Sequence, residues 1–467
     1  VWSPVRRRLT LGLVLTITLV AFETLAISTV MPVVADDLGG LSLYGWVFSG
    51  FFLGNLLGIV TAGQSADARG TAFPFAVGLG LFAAGLLVGG LAPSMGVLVA
   101  ARVVQGVGAG AIPAVAYASV GRAYPAAIRP RVFAVFSSAW VIPGLVGPAA
   151  SSAIAEAVSW RAVFLALLPL VVLAAAITLP ALTRAVSAPE GSEADAIGSS
   201  SAGSAEPPAA QAGEALVDRR GTALLLVAGV AAVFVAAGGP PLLLAIAMAV
   251  VGVPVAVRAF LRLVPSGTVR LAAGIPAAVL VRGILTFAFF GTDAYVSLTF
   301  QEVRHQATWV AGAALTASAL LWTLGAWVLE RLVHTWGPRR VVMAGFSLVA
   351  VGVLGMVGAL GPLPVPVAIA VWSVAGFGIG LSYSTLSVTV LGLAPPGREG
   401  SASASLQLTD VLGVALGTGT GGAFVAIAEA QGWAVRSALE LAFSVTFAVA
   451  LAGIAAAHRL PRALPQS

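Results

Sequence analysis

Leu11-Gly-Leu-Val-Leu-Thr-Ile-Thr-Leu-Val-Ala-Phe-Glu23-Thr-Leu-Ala-Ile-Ser-Thr-Val-Met-Pro-Val-Val34 is a run of 24 residues with one ionisable side chain at its centre. As a helix it is about 36 Å long, enough to cross the ~30 Å hydrocarbon core of a bilayer. A carboxyl group at that depth has little water and a large cost if ionised. Packing alone seldom justifies it. Glu23 is therefore a candidate site for binding and releasing a proton or a cationic ligand; the structural alternative is a carboxyl paired to a neighbouring helix.

The composition extends this reading to the whole chain. The 467 residues are 59% hydrophobic and 9% charged, with a mean hydropathy of +1.02, whereas soluble domains carry about 25% charged residues. The apolar segments are long and continuous rather than short and alternating, so the expected fold is an all-α membrane protein. The lack of cysteine excludes disulfides, thiol nucleophiles and thiolate metal sites. All basic side chains are Arg, and the excess of Ala, Gly, Val and Arg is that of a high-GC bacterial chain. The expected location is the bacterial inner (cytoplasmic) membrane.

Six runs of spanning length come first: Leu11–Val34, Tyr44–Ala62, Phe73–Leu91, Val97–Val120, Val132–Ala153 and Ala162–Leu182. A polar stretch, 183–220, is too poor in apolar residues to bury a core and reads as a disordered cytoplasmic linker. Two shorter runs follow, Gly221–Ala237 and Pro241–Val257, within an inserted pair over 221–262. Six more lie in 271–460: Ile275–Phe300, Trp309–Leu329, Val341–Leu360, Val365–Ala394, Leu406–Ala428 and Val435–Ala457. The expectation is a six-helix half over 1–182, the linker, the inserted pair and a second six-helix half.

Arginine placement supports an even helix count. With the amino terminus in the cytoplasm, 19 of the 24 Arg fall on the cytoplasmic side, three (Arg161, Arg304, Arg436) on the other, and two (Arg102, Arg282) inside helices. That bias follows the positive-inside rule and puts both termini in the cytoplasm. The positive net charge then reflects topology, and no nucleic-acid partner is expected. The first run is too long for a cleaved signal peptide.

The halves carry a weak repeat. Gly63, Asp67, Arg69 and Gly70 follow the second span, and Gly325, Glu330, Arg331 and Gly337 follow its counterpart in the second half. Two halves with a common loop point to a transporter with its site between them.

Four local patterns are more specific. Glu23 precedes a run ending in Pro32 and then Asp37-Leu-Gly39; Gly63, Asp67, Arg69 and Gly70 form a short loop; Arg102-Val-Val-Gln105-Gly106 lies in the fourth span; Pro143-Gly144-Leu-Val-Gly147-Pro148 lies in the fifth. Together they resemble the major facilitator superfamily, and most of all its 14-helix drug:proton antiporter branch. The resemblance covers nearly the whole chain. It departs from the family pattern at Glu23, where Asp is usual, at Thr71 and Ala72, where basic residues are usual, and at Ser151 and Ser152, which replace a glycine pair. It implies two six-helix halves plus two extra helices between them. It also implies a conformational latch at Asp67 and Arg69, with Glu330 and Arg331 as counterparts, a part for Arg102 in proton transfer, and export through the fifth-helix pattern. An ordinary helix cap, an Arg–carbonyl bond and generic Gly/Pro packing are the respective structural alternatives.

The second half adds Arg282 and Asp293, 11 residues apart on one helix face and about 16 Å along its axis. They are expected to bracket a cavity lined by Phe287, Phe290 and Tyr295, with Asn55 as a further candidate. Asp410 reads as an acid near a cytoplasmic helix end, where water could reach it. No catalytic set, metal cluster or phosphate-binding loop is visible, so the chain is not expected to be an enzyme or to use a cofactor. The expected function is a monomeric antiporter that exports hydrophobic compounds, cationic ones among them, in exchange for protons by alternating access. A dedicated transporter of one metabolite or lipid on the same fold is the alternative, and a non-transporting membrane sensor a more distant one.

Overall fold

A computed structural model describes residues 4–124, 128–187, 219–238, 241–395 and 399–463. Every regular element among them is helical. The first half comprises α1 (Pro4–Leu38), α2 (Tyr44–Arg69), α3 (Ala72–Gly90), α4 (Met95–Ala123), α5 (Arg129–Ser138), α6 (Val141–Ala157), α7 (Trp160–Leu165) and α8 (Leu167–Ser187). The inserted pair is α9 (Arg219–Ala237) and α10 (Leu242–Leu263). The second half comprises α11 (Ile275–Asp293), α12 (Val296–Leu298), α13 (Thr308–Ala359), α14 (Val365–Leu393), α15 (Glu399–Gln431) and α16 (Val435–Ala457). Among the described residues, 13 helices are long and apolar enough to span a membrane. The expected fifth span is broken into α5 and α6 around Ala139 and Trp140, and α6 alone is shorter, with 17 residues. The chain is a multi-pass membrane protein.

Four boundaries differ from the expectation in ways that bear on the site and the linker. Residues 183–187 continue α8 and Arg219 and Arg220 begin α9, so helix replaces both ends of the expected linker; its remainder, 188–218, lies outside the described residues. The expected span Ile275–Phe300 leaves regular α-helix after Asp293 and passes through α12 into a π-helical turn, Thr299–Val303. Helix α15 starts at Glu399 rather than Leu406, because the Gly/Ser-rich stretch before Leu406 is helical although not apolar.

The repeat seen in the loops is real in the backbone. Gly70, after α2, has φ 77° and ψ 172°. Gly337, which breaks α13 in two, has φ 73° and ψ 161°. This region is open essentially to glycine alone.

A second repeat lies in the packing. A methyl group at Gly106 or Gly110 of α4 would overlap the backbone carbonyls of Phe51 and Asn55 in α2. A methyl at Gly376 or Gly380 of α14 would likewise overlap the carbonyls of Ser318 and Trp322 in α13. Apolar side chains gain little by leaving lipid for a helix interface, so close backbone approach at small residues is what holds such pairs together. The two crossings share one spacing, and they fix which residues of the halves correspond.

The halves clasp each other at the end of the bundle opposite the start of α1. Gly45 of α2 meets Gly422 of α15 backbone to backbone. Tyr44 Oη reaches the Ala294 carbonyl at 3.5 Å, and Gln301 Nε2 donates to Thr29 O at 3.2 Å. A methyl at Gly312 of α13 would lie 3.1 Å from Pro148 O of α6. The amide of Ser42 also donates to the Glu429 carboxylate.

Candidate functional site

The first half buries an ion pair. Arg102 of α4 donates to Glu23 of α1 through Nη1, and each side chain is about 1% exposed. The same nitrogen donates to Gln105 Oε1 at 2.7 Å, and Nε donates to the Val47 carbonyl of α2 at 3.2 Å. The guanidinium also lies over the Phe51 ring, 4.1 Å from its centroid. Three helices thus hold one arginine. Glu23 Oε2 and Gln105 Nε2 are buried without a partner, so the cluster keeps one free acceptor and one free donor.

The second half holds a different pair. Arg282 Nε of α11 donates to Asp410 Oδ1 of α15 at 2.9 Å. Tyr383 Oη of α14 donates to Asp410 Oδ2 at 3.0 Å, and Arg282 Nη1 donates to the Tyr383 carbonyl at 2.5 Å. Asp410 is therefore no free helix-end acid: it lies about three turns inside α15 and is held by Arg282. Tyr117 of α4, in the other half, faces this pair, yet is 40% exposed. Tyr117 thus lies toward the end of the bundle where α1 begins, opposite the clasp.

Asp293 stands apart from both pairs. It is 9% exposed and forms no ion pair with a described residue. Trp372 Nε1, wholly buried, faces it without closing a hydrogen bond. The glycine crossings explain the setting. Arg102 is four residues before Gly106, and Trp372 is four residues before Gly376, so Trp372 holds in α14 the place that Arg102 holds in α4. Each half carries a carboxyl at this place; among the described residues, only the first half gives it a cation.

An aromatic wall joins Asp293 to the Arg282 cluster. Phe289 stacks on Trp372 at 5.1 Å and meets Trp322 edge-on at 5.6 Å; Trp322 lies 5.4 Å from Tyr383 and 6.0 Å from Phe290. Of the expected cavity residues, Phe290 belongs to this wall, and Phe287 is partly buried with its carbonyl against Gly417. Tyr295 does not line it. It is fully buried at the clasp, donating to Thr418 O at 2.6 Å and packing 5.7 Å from Tyr44. Asn55 is part of the α2–α4 crossing, its Oδ1 buried without a partner.

The fifth-span pattern lies at a seam between halves. Gly144 faces Ala319 of α13, Pro148 faces Gly312, and Gly147 faces Leu25 and Phe22 of α1. At the expected latch, the guanidinium of Arg69 lies over Phe73 at 5.3 Å, and a Cβ at Gly63 would meet only open space. The side chains of Asp67, Glu330 and Arg331 lie outside the described residues. Among the described residues, no three His, Asp or Glu side chains converge as a metal site requires.

The sequence model of the Major Facilitator Superfamily matches residues 13–418. The chain belongs to this superfamily. Relatives of this superfamily member include a "Probable multidrug-efflux transporter" of Mycobacterium tuberculosis, 28% identical over 94% of this chain and 93% of that protein. "Multidrug resistance protein 3" of Bacillus subtilis is 28% identical over 33% of this chain and 30% of its own length. Among solved structures, an auto-inhibited POT family peptide transporter superposes with a TM-score of 0.69 at 15% identity, covering 98% of both chains. A D-xylose-proton symporter superposes with a TM-score of 0.64 at 14% identity, covering 97% of this chain and 98% of that one. At such identities the solved structures speak to the fold alone. This superfamily member is a transporter, and its similarity to efflux proteins extends over almost its full length.

Proposed function

We propose that this protein is a proton-coupled exporter of hydrophobic cations that works by alternating access in the bacterial cytoplasmic membrane, with both termini in the cytoplasm. The observation that carries the reading is the inequality of two corresponding carboxyls. Glu23 has a resident cation in Arg102, whereas Asp293 has only an indole N–H. A buried carboxylate without a counter-charge is held by a proton or by a cation from outside. The aromatic wall beside Asp293 suits a planar or apolar cation, which gains from both ring faces and the carboxylate. A proton arriving at Glu23 neutralises the carboxylate and frees Arg102 from its partner, so that α1 and α4 can rearrange. The charge in each half thereby depends on what is bound. The cycle requires only that proton and substrate favour different states.

In this reading the clasped end faces away from the cytoplasm, and the end of the bundle that carries Tyr117 faces inward. The likeness to efflux relatives supports the direction of transport. Proteoliposomes with an imposed pH gradient, loaded with a panel of cationic, neutral and anionic dyes, test the proposal. Gradient-driven movement of cationic dyes, lost when the gradient is collapsed, is expected. Transport of a panel member independent of the gradient overturns proton coupling.

A further inference from the structure

The inserted pair has a property that neither half shares. Helices α9 and α10 run antiparallel and cross at Gly229, where an added methyl would meet Gly252 O at 2.7 Å and Ala256 N at 2.8 Å. Helix α9 also packs on α2 and α15, with Phe234 edge-on to Trp46 at 6.0 Å. Helix α10 packs chiefly on α9 and leaves Leu243, Val250 and Val251 more than 60% exposed. Between the two helices runs an apolar groove of about 350 Å³, lined by residues including Ala228, Ala232, Ala247, Val251 and Val255. From Ala247 to Val255 it follows α10 for about 12 Å.

One end of this groove is strongly basic. Arg258 is one turn beyond Val255, Arg262 one turn further, and Arg219 starts α9 at the same end. These three side chains are exposed and form no ion pair with described residues. No acidic residue occurs from 219 to 292. Topology signals account for arginines at a helix end, but not for an apolar groove leading away from them into the bilayer.

We propose that the α9–α10 hairpin binds an anionic phospholipid, with its phosphate on Arg258 and Arg262, Arg219 opposite, and an acyl chain in the groove. Charge complementarity selects the headgroup, since a zwitterionic lipid brings no net charge to three unpaired arginines. Small side chains at Ala228, Ala232 and Ala247 leave room for the chain, and among the described residues α10 packs chiefly on α9, which leaves its outer face open to lipid. The bound lipid would bridge α9 and α10.

Native mass spectrometry of the full-length protein with added phosphatidylglycerol or phosphatidylcholine tests this. Phosphatidylglycerol is expected to be retained in preference to phosphatidylcholine. The Arg258→Gln/Arg262→Gln variant should weaken phosphatidylglycerol binding about 30-fold, and inorganic phosphate should not displace the lipid. Ala228→Phe, which fills the groove and keeps every charge, should weaken it about 10-fold through lost chain burial. Melting temperatures check that each variant folds, and Arg219→Gln on the other helix gives the same readout if the double variant does not. Equal retention of both lipids, or phosphatidylglycerol binding unchanged in the arginine variants, overturns the site. Unchanged binding in Ala228→Phe shows a surface film of charge rather than a seated lipid, and displacement by inorganic phosphate shows a free-anion site; either result also overturns it.

Discussion

Trp372 occupies in the second half the place that Arg102 occupies in the first, each four residues before the first of two glycines that press on the carbonyls of a neighbouring helix. Arg102 meets a carboxylate there, and Trp372 faces one across an open hydrogen bond. Two halves alike in this packing thus differ in charge at one point.

Trp372→Arg would give Asp293 a resident counter-ion. Transport of cationic dyes should fall at least about 10-fold, because the substrate no longer supplies a missing charge worth more than 1.4 kcal/mol. Trp372→Phe, which keeps the stacking on Phe289 and loses only the N–H, should transport within a few-fold of the parent. Dye flux in proteoliposomes checks both. Parent-like flux of cations by Trp372→Arg would show that Asp293 does not serve as their counter-charge.

Arg102→Ala strands Glu23 as a buried charge and should destabilise the protein by about 3–5 kcal/mol. Glu23→Gln/Arg102→Ala removes both charges and should recover most of that loss. Thermal unfolding of the two variants in detergent measures the difference. Equal melting temperatures would mean that Glu23 is neutral in the resting protein.

The sequence reveals the spans because the bilayer fixes their length, and it reveals Glu23, Arg102 and Asp293 because ionisable groups at that depth are costly. It does not reveal pairing. Glu23 and Arg102 are 79 residues apart, and Arg282 and Asp410 are 128 apart. Only helix packing decides that these meet and that Arg282 and Asp293 serve different clusters. Asp410 looks like a helix-end acid because the polar Gly/Ser stretch before Leu406 hides the first turns of α15. Tyr117, Trp372 and Tyr383 escape notice for the opposite reason: an aromatic residue in an apolar helix carries no mark of being next to a charge. A signal for Trp372 was present in the Gly376 and Gly380 spacing, which copies Gly106 and Gly110.

Gly70→Ala forces a side chain into a backbone region that only glycine occupies freely, although no atom obstructs it. A loss of about 1–3 kcal/mol is expected. Gly63→Ala, in a helix with open space around it, should be neutral or slightly stabilising. Unfolding midpoints of the two variants check this contrast.

Gly45→Ala places a methyl against the backbone of Gly422 and so opposes the clasp between α2 and α15. The variant should spend more time open at that end. The protein has no cysteine, so a single Ser42→Cys reports access without background. Maleimide labelling there should speed up several-fold when Gly45→Ala is added. An unchanged rate would mean that this crossing does not hold the end closed.

Glu23→Gln tests the central claim most directly. The amide keeps shape and hydrogen bonding but cannot exchange a proton, and Asp293→Asn provides the matching change in the second half. Substrate flux in proteoliposomes is measured with a pH gradient and, separately, as exchange of labelled for unlabelled substrate without one. The account predicts that Glu23→Gln still binds and exchanges a cationic substrate, yet loses accumulation driven by the gradient, while Asp293→Asn loses cation binding itself. Full gradient-driven transport by Glu23→Gln would contradict it.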